Sequence, residues 1–388
     1  MIKSPSLLST AYCSLLLSFD KLQDPRVIGL TTYPMDEILF AVLCGVLCGC
    51  DDFEEIQLFT EDHIDYLRQY FPYKNAIPKE AWLTRIFSLI DGDAFEQCFV
   101  KWLSMLQKDL YGVIAIDGKT LRGSKHKNRK AIHIVSAFMH ERGIIVGQKK
   151  VSDKSNEITA IPVLLDEINI AGSIVTIDAM GCQKKIVEKI VEKKADYVLS
   201  LKGNQGKLHD DIEKFFLRHE GLKFEGRGYE FGTSEETDAG HGRVETRKVT
   251  VIDDISWLTF DHPDWKNLTS VAMVESTRFM KGKEAGETTE KRYYISSLPA
   301  DASIIGKAIR SHWSVENNLH WVLDVTFNDD KCTSRKDHAP LNFGIIKRIA
   351  FNLLKLEKTK MSIKCKRKKA SWNDEFLTKV LTSCHSNI

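Results

Sequence analysis

The sequence predicts an α/β (α+β) fold, a mixed sheet flanked by helices, with an all-helical region before it and a β-rich insertion inside it. Three observations carry this. Apolar residues recur at helical spacing through residues 1–110. From about residue 111 the period shortens and the elements run β, β, β, α, β, α, β. Residues 203–298 then break that rhythm, with frequent Gly, Thr, Glu and Asp.

In the helical region, Leu7–Phe19 is apolar but interrupted by Ser, Thr and Tyr, with a single Lys before it and Asp20–Lys21 after it. It reads as a packing helix rather than a signal peptide. Ile38–Cys50 is an apolar run of 13 residues, short of the roughly 20 that span a bilayer. Leu58, His63, Leu67, Tyr70 and Phe71, then Trp82, Ile86, Leu89 and Ile90, then Phe95, Phe99 and Leu103 continue the helical period. Pro72, Pro78 and the turn Asp91–Gly92–Asp93 punctuate it.

Residues 111–202 form the first part of the sheet. Val113–Ile116 is a short buried-type strand that ends at Asp117-Gly118, and Ala131–Met139 and Ile144–Val151 follow as a meander around the turn Glu141–Gly143. Thr159–Ile168 is helical, Ser173–Ile177 is a strand ending at Asp178, and Cys182–Lys194 is an amphipathic helix with Ile186, Val187, Ile190 and Val191 inward. Tyr197–Leu201 closes the series, so the last two strands are parallel additions through helices. In the insertion 203–298, Arg243–Ile252 alternates clearly and Tyr293–Ser296 is a further strand. Residues 299–356 return to the core with a long helical stretch, Ser303–Phe327, and an apolar helix, Phe343–Leu356; residues 357–388 form a basic tail.

Composition narrows the class. The chain has 388 residues, 43% hydrophobic and 28% charged, which excludes a mostly disordered protein. Lys+Arg at 55 against Asp+Glu at 53 leaves a net charge of +2, so any nucleic-acid role must rest on local clusters. Nine cysteines are scattered without a CxxC pair; Cys44, Cys48 and Cys50 suit a buried helix, and reduced thiols place the chain in the cytoplasm.

The most informative residues are two aspartates at matched strand ends, Asp117 after Val-Ile-Ala-Ile and Asp178 after Ile-Val-Thr-Ile. Asp also ends strands simply because it favours turns. Two carboxylates brought together by neighbouring strands repel each other, and a divalent ion with hard oxygen ligands, Mg²⁺ above all, relieves this. A third acid stands in the long helical stretch, where His312, Glu316, His320 and Asp324 are four apart and share one helix face. Such a stripe is often a solvated face, but His312-Trp313, Asn317-Asn318 and His320-Trp321 crowd it with aromatic and amide groups. The His-Glu-His spacing also admits a transition-metal site, though without the adjacent His-Glu of HExxH.

DNA contacts follow the basic clusters. His241, Arg243, Glu245 and Arg247 fall on one face of an extended strand, either as a phosphate-reading edge or as a charged edge that resists aggregation. Lys119 and Arg122 follow the first Asp, and Lys202 and Asn204 follow the last core strand. Lys355–Lys369 holds eight basic residues and one acid, with Lys366 and Arg367 at its centre; it reads as a phosphate-binding tail or a solvated linker.

The stretch Ile116-Asp117-Gly118-Lys119-Thr120-Leu121-Arg122-Gly123 is followed in order by Ile177-Asp178-Ala179-Met180, Leu201-Lys202-Gly203-Asn204-Gln205, His241-Gly242-Arg243-Val244-Glu245-Thr246-Arg247 and Tyr293–Leu298, then by the block His312–Val325 around Glu316. This series resembles the H-repeat-associated (Rhs-linked) group of insertion-sequence transposases of the DDE type, from about residue 15 to the C-terminus. The resemblance implies an RNase H-like catalytic domain with a β-rich insertion and an accompanying helical domain. It implies Asp117, Asp178 and Glu316 as catalytic acids holding two Mg²⁺ ions, with Mn²⁺ able to substitute. The reaction implied is 3′-end hydrolysis of element DNA and strand transfer to target DNA. The partners are then double-stranded DNA, as terminal inverted repeats and target, and a second copy when two ends are paired; no membrane is involved. Bound to DNA, the protein would associate with the nucleoid. A catalytically inactive or domesticated DNA-binding relative, or a nuclease without strand transfer, are the alternatives. The chain departs from a Tyr, Arg, Glu, Lys series of the wider superfamily: His312 takes the Arg place and Leu323 the Lys place, so His312 or His320 would serve instead. Lys79-Glu80-Ala81-Trp82 also replaces the Ser-His-Asp-Thr that follows Ile-Pro in the family.

Overall fold

A computed structural model describes residues 15, 18–19, 22–27, 29–106, 111–126, 130–152, 156–220, 229–240, 243–280 and 286–384. Most of the expected helix Leu7–Phe19 and the candidate His241 lie outside the described residues. In chain order the elements are α1 (Met35–Leu47), α2 (Phe53–Asp62), α3 (Ile64–Leu67), α4 (Glu80–Leu89), α5 (Gly92–Met105), β1 (Val113–Leu121), β2 (Ile132–Met139), β3 (Ile144–Lys150), α6 (Glu157–Glu167), β4 (Ile174–Ile177), α7 (Lys184–Glu192) and β5 (Asp196–Leu201). There follow α8 (Gly206–Glu220), β6 (Gly232–Gly240), β7 (Arg243–Ile252), α9 (Ser256–Asp261), β8 (Ser270–Met280), β9 (Gly286–Ser296), α10 (Ala302–His312), a π-helical turn (Glu316–His320), α11 (Trp321–Thr326), α12 (Ala339–Leu356), α13 (Ile363–Trp372) and α14 (Asp374–Leu381). The chain divides into two compact units, the first drawn from residues 1–109, 118–154 and 316–388 and the second from 110–117 and 155–315. Among its four passages between them, one falls within β1 after Asp117 and one before Glu316.

The first unit is built around α12. All of α12 except its last two residues is buried, and it packs on α1, α4, α5 and β3. Helix α1 is apolar on every side and correspondingly buried from Glu37 to Leu47. It ends where Gly49 takes a φ of +109°, a conformation glycine adopts without strain. Helix α2 starts at Asp52, whose side chain accepts from Glu55 N, while Glu55 reaches back to Asp51 N at 2.6 Å, a reciprocal cap. Two buried asparagines tie α12 to its neighbours: Asn342 donates to Phe87 O and Ile90 O, and Asn352 both accepts from and donates to the Ile145 backbone. The antiparallel pair β2–β3 belongs to this unit, with β2 next to β1.

The second unit holds the strand order β1-β4-β5-β9-β8-β7-β6. β1, β4 and β5 are parallel, linked through α6 and α7, as the alternation of strands and helices predicts. β9, β8, β7 and β6 are antiparallel, so the sheet is mixed and the β-rich insertion extends it. Helix α10 packs Ile305, Ala308 and Ile309 against Val198, Val251, Ala272 and Val274 of the sheet. On α7, Ile186, Val187 and Ile190 are buried, and Val191 is half-buried.

Three elements differ from the sequence reading. The insertion contains a 15-residue helix, α8, whose spacing Leu208, Ile212, Phe216 is hidden among Gly, His and Asp. Leu58, Trp82 and Leu89, which continue the apolar helical period, are exposed. The helix over Ser303–Phe327 is not continuous: α10 stops at His312, a turn follows at Trp313, and Glu316–His320 winds as a π-turn. The turn at Trp313 and the π-turn interrupt the regular helical spacing between His312 and His320, while Glu316 and His320 still meet side by side. Among the described residues no helix is long and apolar enough to cross a membrane.

Candidate active site

In the second unit, the parallel register pairs Val113 with Ile174 and ends on Ile116 with Ile177. Asp117 and Asp178 therefore occupy the next position on neighbouring strands, which lie about 4.8 Å apart. Both are half-buried. Asp178 folds its Oδ1 back to accept from Met180 N at 3.0 Å and Gly181 N at 3.2 Å, which fixes the carboxylate at the strand end. Beside it Thr176 Oγ1 lies 3.2 Å from His312 Nδ1. Burial holds His312 below the usual histidine range, against the pull of the Asp178 charge. Asn204 does not project freely: its Nδ2 donates to Ala179 O at 2.7 Å and so braces the loop after Asp178. Lys202 is exposed. Burial, helped by the Asp178 charge, pushes the Cys182 thiol up to about 12, so it offers no thiolate nucleophile at neutral pH.

In the first unit, Glu316 sits on the π-turn, exposed, with Oε2 3.1 Å from Nδ1 of the buried His320. Burial lowers the pKa of His320 despite the Glu316 carboxylate, and the Lys119 and Arg348 charges act in the same direction as burial. Because a carboxylate only accepts, the Nδ1–H of His320 donates to Glu316. Lys119 is buried and its Nζ lies 2.6 Å from Asp324 Oδ1 and 3.7 Å from Asp330 Oδ1. Its charge is answered within the chain by these carboxylates. Arg122 keeps a largely exposed guanidinium, 3.6 Å from Asp330 Oδ2.

The other predicted DNA contacts divide in the same way. Arg243 is exposed. Arg247 is held by Asp238 at 2.9 Å and Glu245 at 2.8 Å, and Arg278 and Arg310 join the same ion network. Lys366 and Arg367 are both buried. Lys366 Nζ donates to Leu354 O and Glu357 O and pairs with the Glu357 carboxylate at 3.1 Å. Arg367 donates to Val46 O, Cys50 O, Thr326 O and Asp51. The sequence held the signal: Ile363, Lys366, Arg367 and Ala370 are spaced as one inward helix face, and all four are buried. Asp324, as the partner of Lys119, and Glu357, as the partner of Lys366, are the residues whose roles the sequence reading did not assign.

A family model described as "Transposase DDE domain" matches residues 108–353, and one described as "DDE_Tnp_1-associated" matches residues 16–103. The chain is similar to "Putative transposase YncI" of Escherichia coli O157:H7, 41% identical over 377 residues that cover 96% of this chain and 95% of that protein. It is similar also to "H repeat-associated putative transposase YhhI" of Escherichia coli K12, 39% identical over 354 residues, 90% of this chain and 92% of that protein. The mixed sheet with flanking helices is the RNase H-like architecture of the DDE domain. With the DDE domain matched over more than half its length and these relatives matched almost end to end, the chain belongs to the DDE transposases, in the H-repeat-associated group of insertion-sequence enzymes.

Proposed function

We propose that the chain cuts DNA at the ends of an insertion sequence and joins the freed ends to a target, with Asp117, Asp178 and Glu316 as its catalytic acids. Family membership makes it a DNA transposase, an enzyme that binds DNA and uses a divalent metal. The observation that carries the residue assignment is the β1–β4 register, which sets two carboxylates one position past the last paired isoleucines. Folding gains little from placing like charges there.

The donor set suits a hard ion: carboxylate oxygens of Asp117, Asp178 and Glu316 would hold Mg²⁺, or Mn²⁺ in its place. Two such ions, when bound, supply an activated water and neutralise the charge on the leaving oxygen. The Met180 and Gly181 amides fix the Asp178 carboxylate, and His320 Nδ1–H steadies Glu316, so two of the acids are oriented by bonds that need no further rearrangement. Hydrolysis frees a 3′-OH at the element end, and that hydroxyl attacks a phosphodiester of the target. No covalent protein–DNA intermediate is required. Exposed Arg122, Lys202 and Arg243 are left to meet phosphates.

The test is an assay with DNA carrying candidate terminal repeats, Mg²⁺ and target plasmid. A transposase gives 3′-end nicks and joined products, a nuclease gives nicks alone, and a binding module gives neither. Asp117→Asn should abolish both products while keeping DNA binding; Mg²⁺-dependent cleavage by that variant would remove the assignment.

A further inference from the structure

Helix α13 separates its charges by face. Lys366 and Arg367 turn inward with Ile363 and Ala370, and Glu357, the acid nearest in sequence, is buried against Lys366. The opposite face carries Lys364, Lys368 and Trp372, four residues apart and all exposed, the Trp372 side at 78%. Lys358 and Lys360 are exposed just before it. From Lys358 to Asn373 the sequence holds no acid, so with Glu357 buried no carboxylate of this segment offsets the outward lysines.

We infer that this outer face docks on the phosphate backbone of duplex DNA, as a contact distinct from the catalytic acids. The inference rests on the transposase reading for its ligand. The geometry is complementary: successive lysines of the stripe lie about 6 Å apart along the helix axis, and a fixed row of ammonium groups displaces counterions from a polyanion. The exposed indole in line with them is the kind of amphipathic side chain that interfaces use and that a merely solvated face does not need. The two inward cations cannot take part, since their donors are already committed to backbone carbonyls and carboxylates.

The experiment measures duplex DNA affinity of the full chain against salt concentration, for wild type and for the double variant Lys364→Gln/Lys368→Gln. Each lysine that neutralises a phosphate contributes about 0.9 to the slope of log K against log salt. The double variant should therefore lose about 1.8 in slope and bind about 60-fold more weakly near 0.1 M salt, with an unchanged melting temperature. Lys364→Arg/Lys368→Arg should keep the wild-type slope. If the Gln variant melts normally and retains the wild-type slope and affinity, the docking face is refuted while the transposase reading stands. If wild type itself binds no DNA, both fall.

Discussion

Glu357→Gln tests whether the basic tail is folded into the first unit by a buried charge or merely rests on it. Glu357 is 2% exposed. Its carboxylate meets Lys366 Nζ at 3.1 Å and Lys379 Nζ at 2.7 Å, and accepts from Thr359 N at 3.0 Å. Burial alone would raise its pKa, but the bonds from Lys379, Thr359 and Lys366 hold it at about 2. Removing one member of a buried pair strands the other and costs about 3–5 kcal/mol. Lys366 keeps its two carbonyl acceptors, which places the loss at the lower end, about 3 kcal/mol. For a unit of this size 1 kcal/mol moves the midpoint by about 2–4 °C, so the thermal transition should fall by about 6–12 °C. Calorimetry of the full chain reads this, and Glu357→Gln/Lys366→Met, which removes both charges, should recover most of it. A shift below about 2 °C, or no recovery in the double variant, would refute the reasoning. The pH dependence has a defined sign. Because the folded pKa is depressed, the stabilisation is complete above the unfolded carboxylate value near 4.5 and is lost as pH falls through about 2. Acid melts of wild type should thus lose more stability between these limits than melts of Glu357→Gln.

Arg367→Lys should destabilise by about 2–3 kcal/mol in denaturant melts, because an ammonium cannot reach Val46 O, Cys50 O and Asp51 at once, while DNA affinity stays unchanged. Gly123→Ala should cost about 1–3 kcal/mol in the same assay: a Cβ there would lie 2.8 Å from Cys332 O and 2.9 Å from Asp330 O, both backbone atoms. Glu316→Gln should abolish strand cleavage in gel assays and leave DNA binding within about threefold, since its side chain is exposed and, among the described residues, bonds to His320 alone; cleavage at the wild-type rate would exclude it from catalysis.

The sheet was legible because buried parallel strands write themselves as uninterrupted apolar runs, and Asp117 and Asp178 stood out as the polar residues that follow two of them, although β1 runs on past Asp117 to Leu121. The π-turn was not legible. Glu316 to His320 reads as helix by composition, and the extra residue in the turn comes from packing that no local propensity records. The basic tail was only partly legible, for a different reason. Charge was summed along the chain, whereas the helix sorts it by face and pairs Lys366 and Arg367 inside. The partner of Lys119 was not legible either, Asp324 being 205 residues away in sequence.

Helix α12 fills the centre of the first unit but is made nearly 300 residues after α1, which it covers. A ribosome therefore releases the sticky α1 helix long before its cover exists. The nascent chain must carry that uncovered surface through most of its synthesis, in need of chaperone shelter. A message cut short before residue 339 would yield a product that aggregates instead of a smaller working protein.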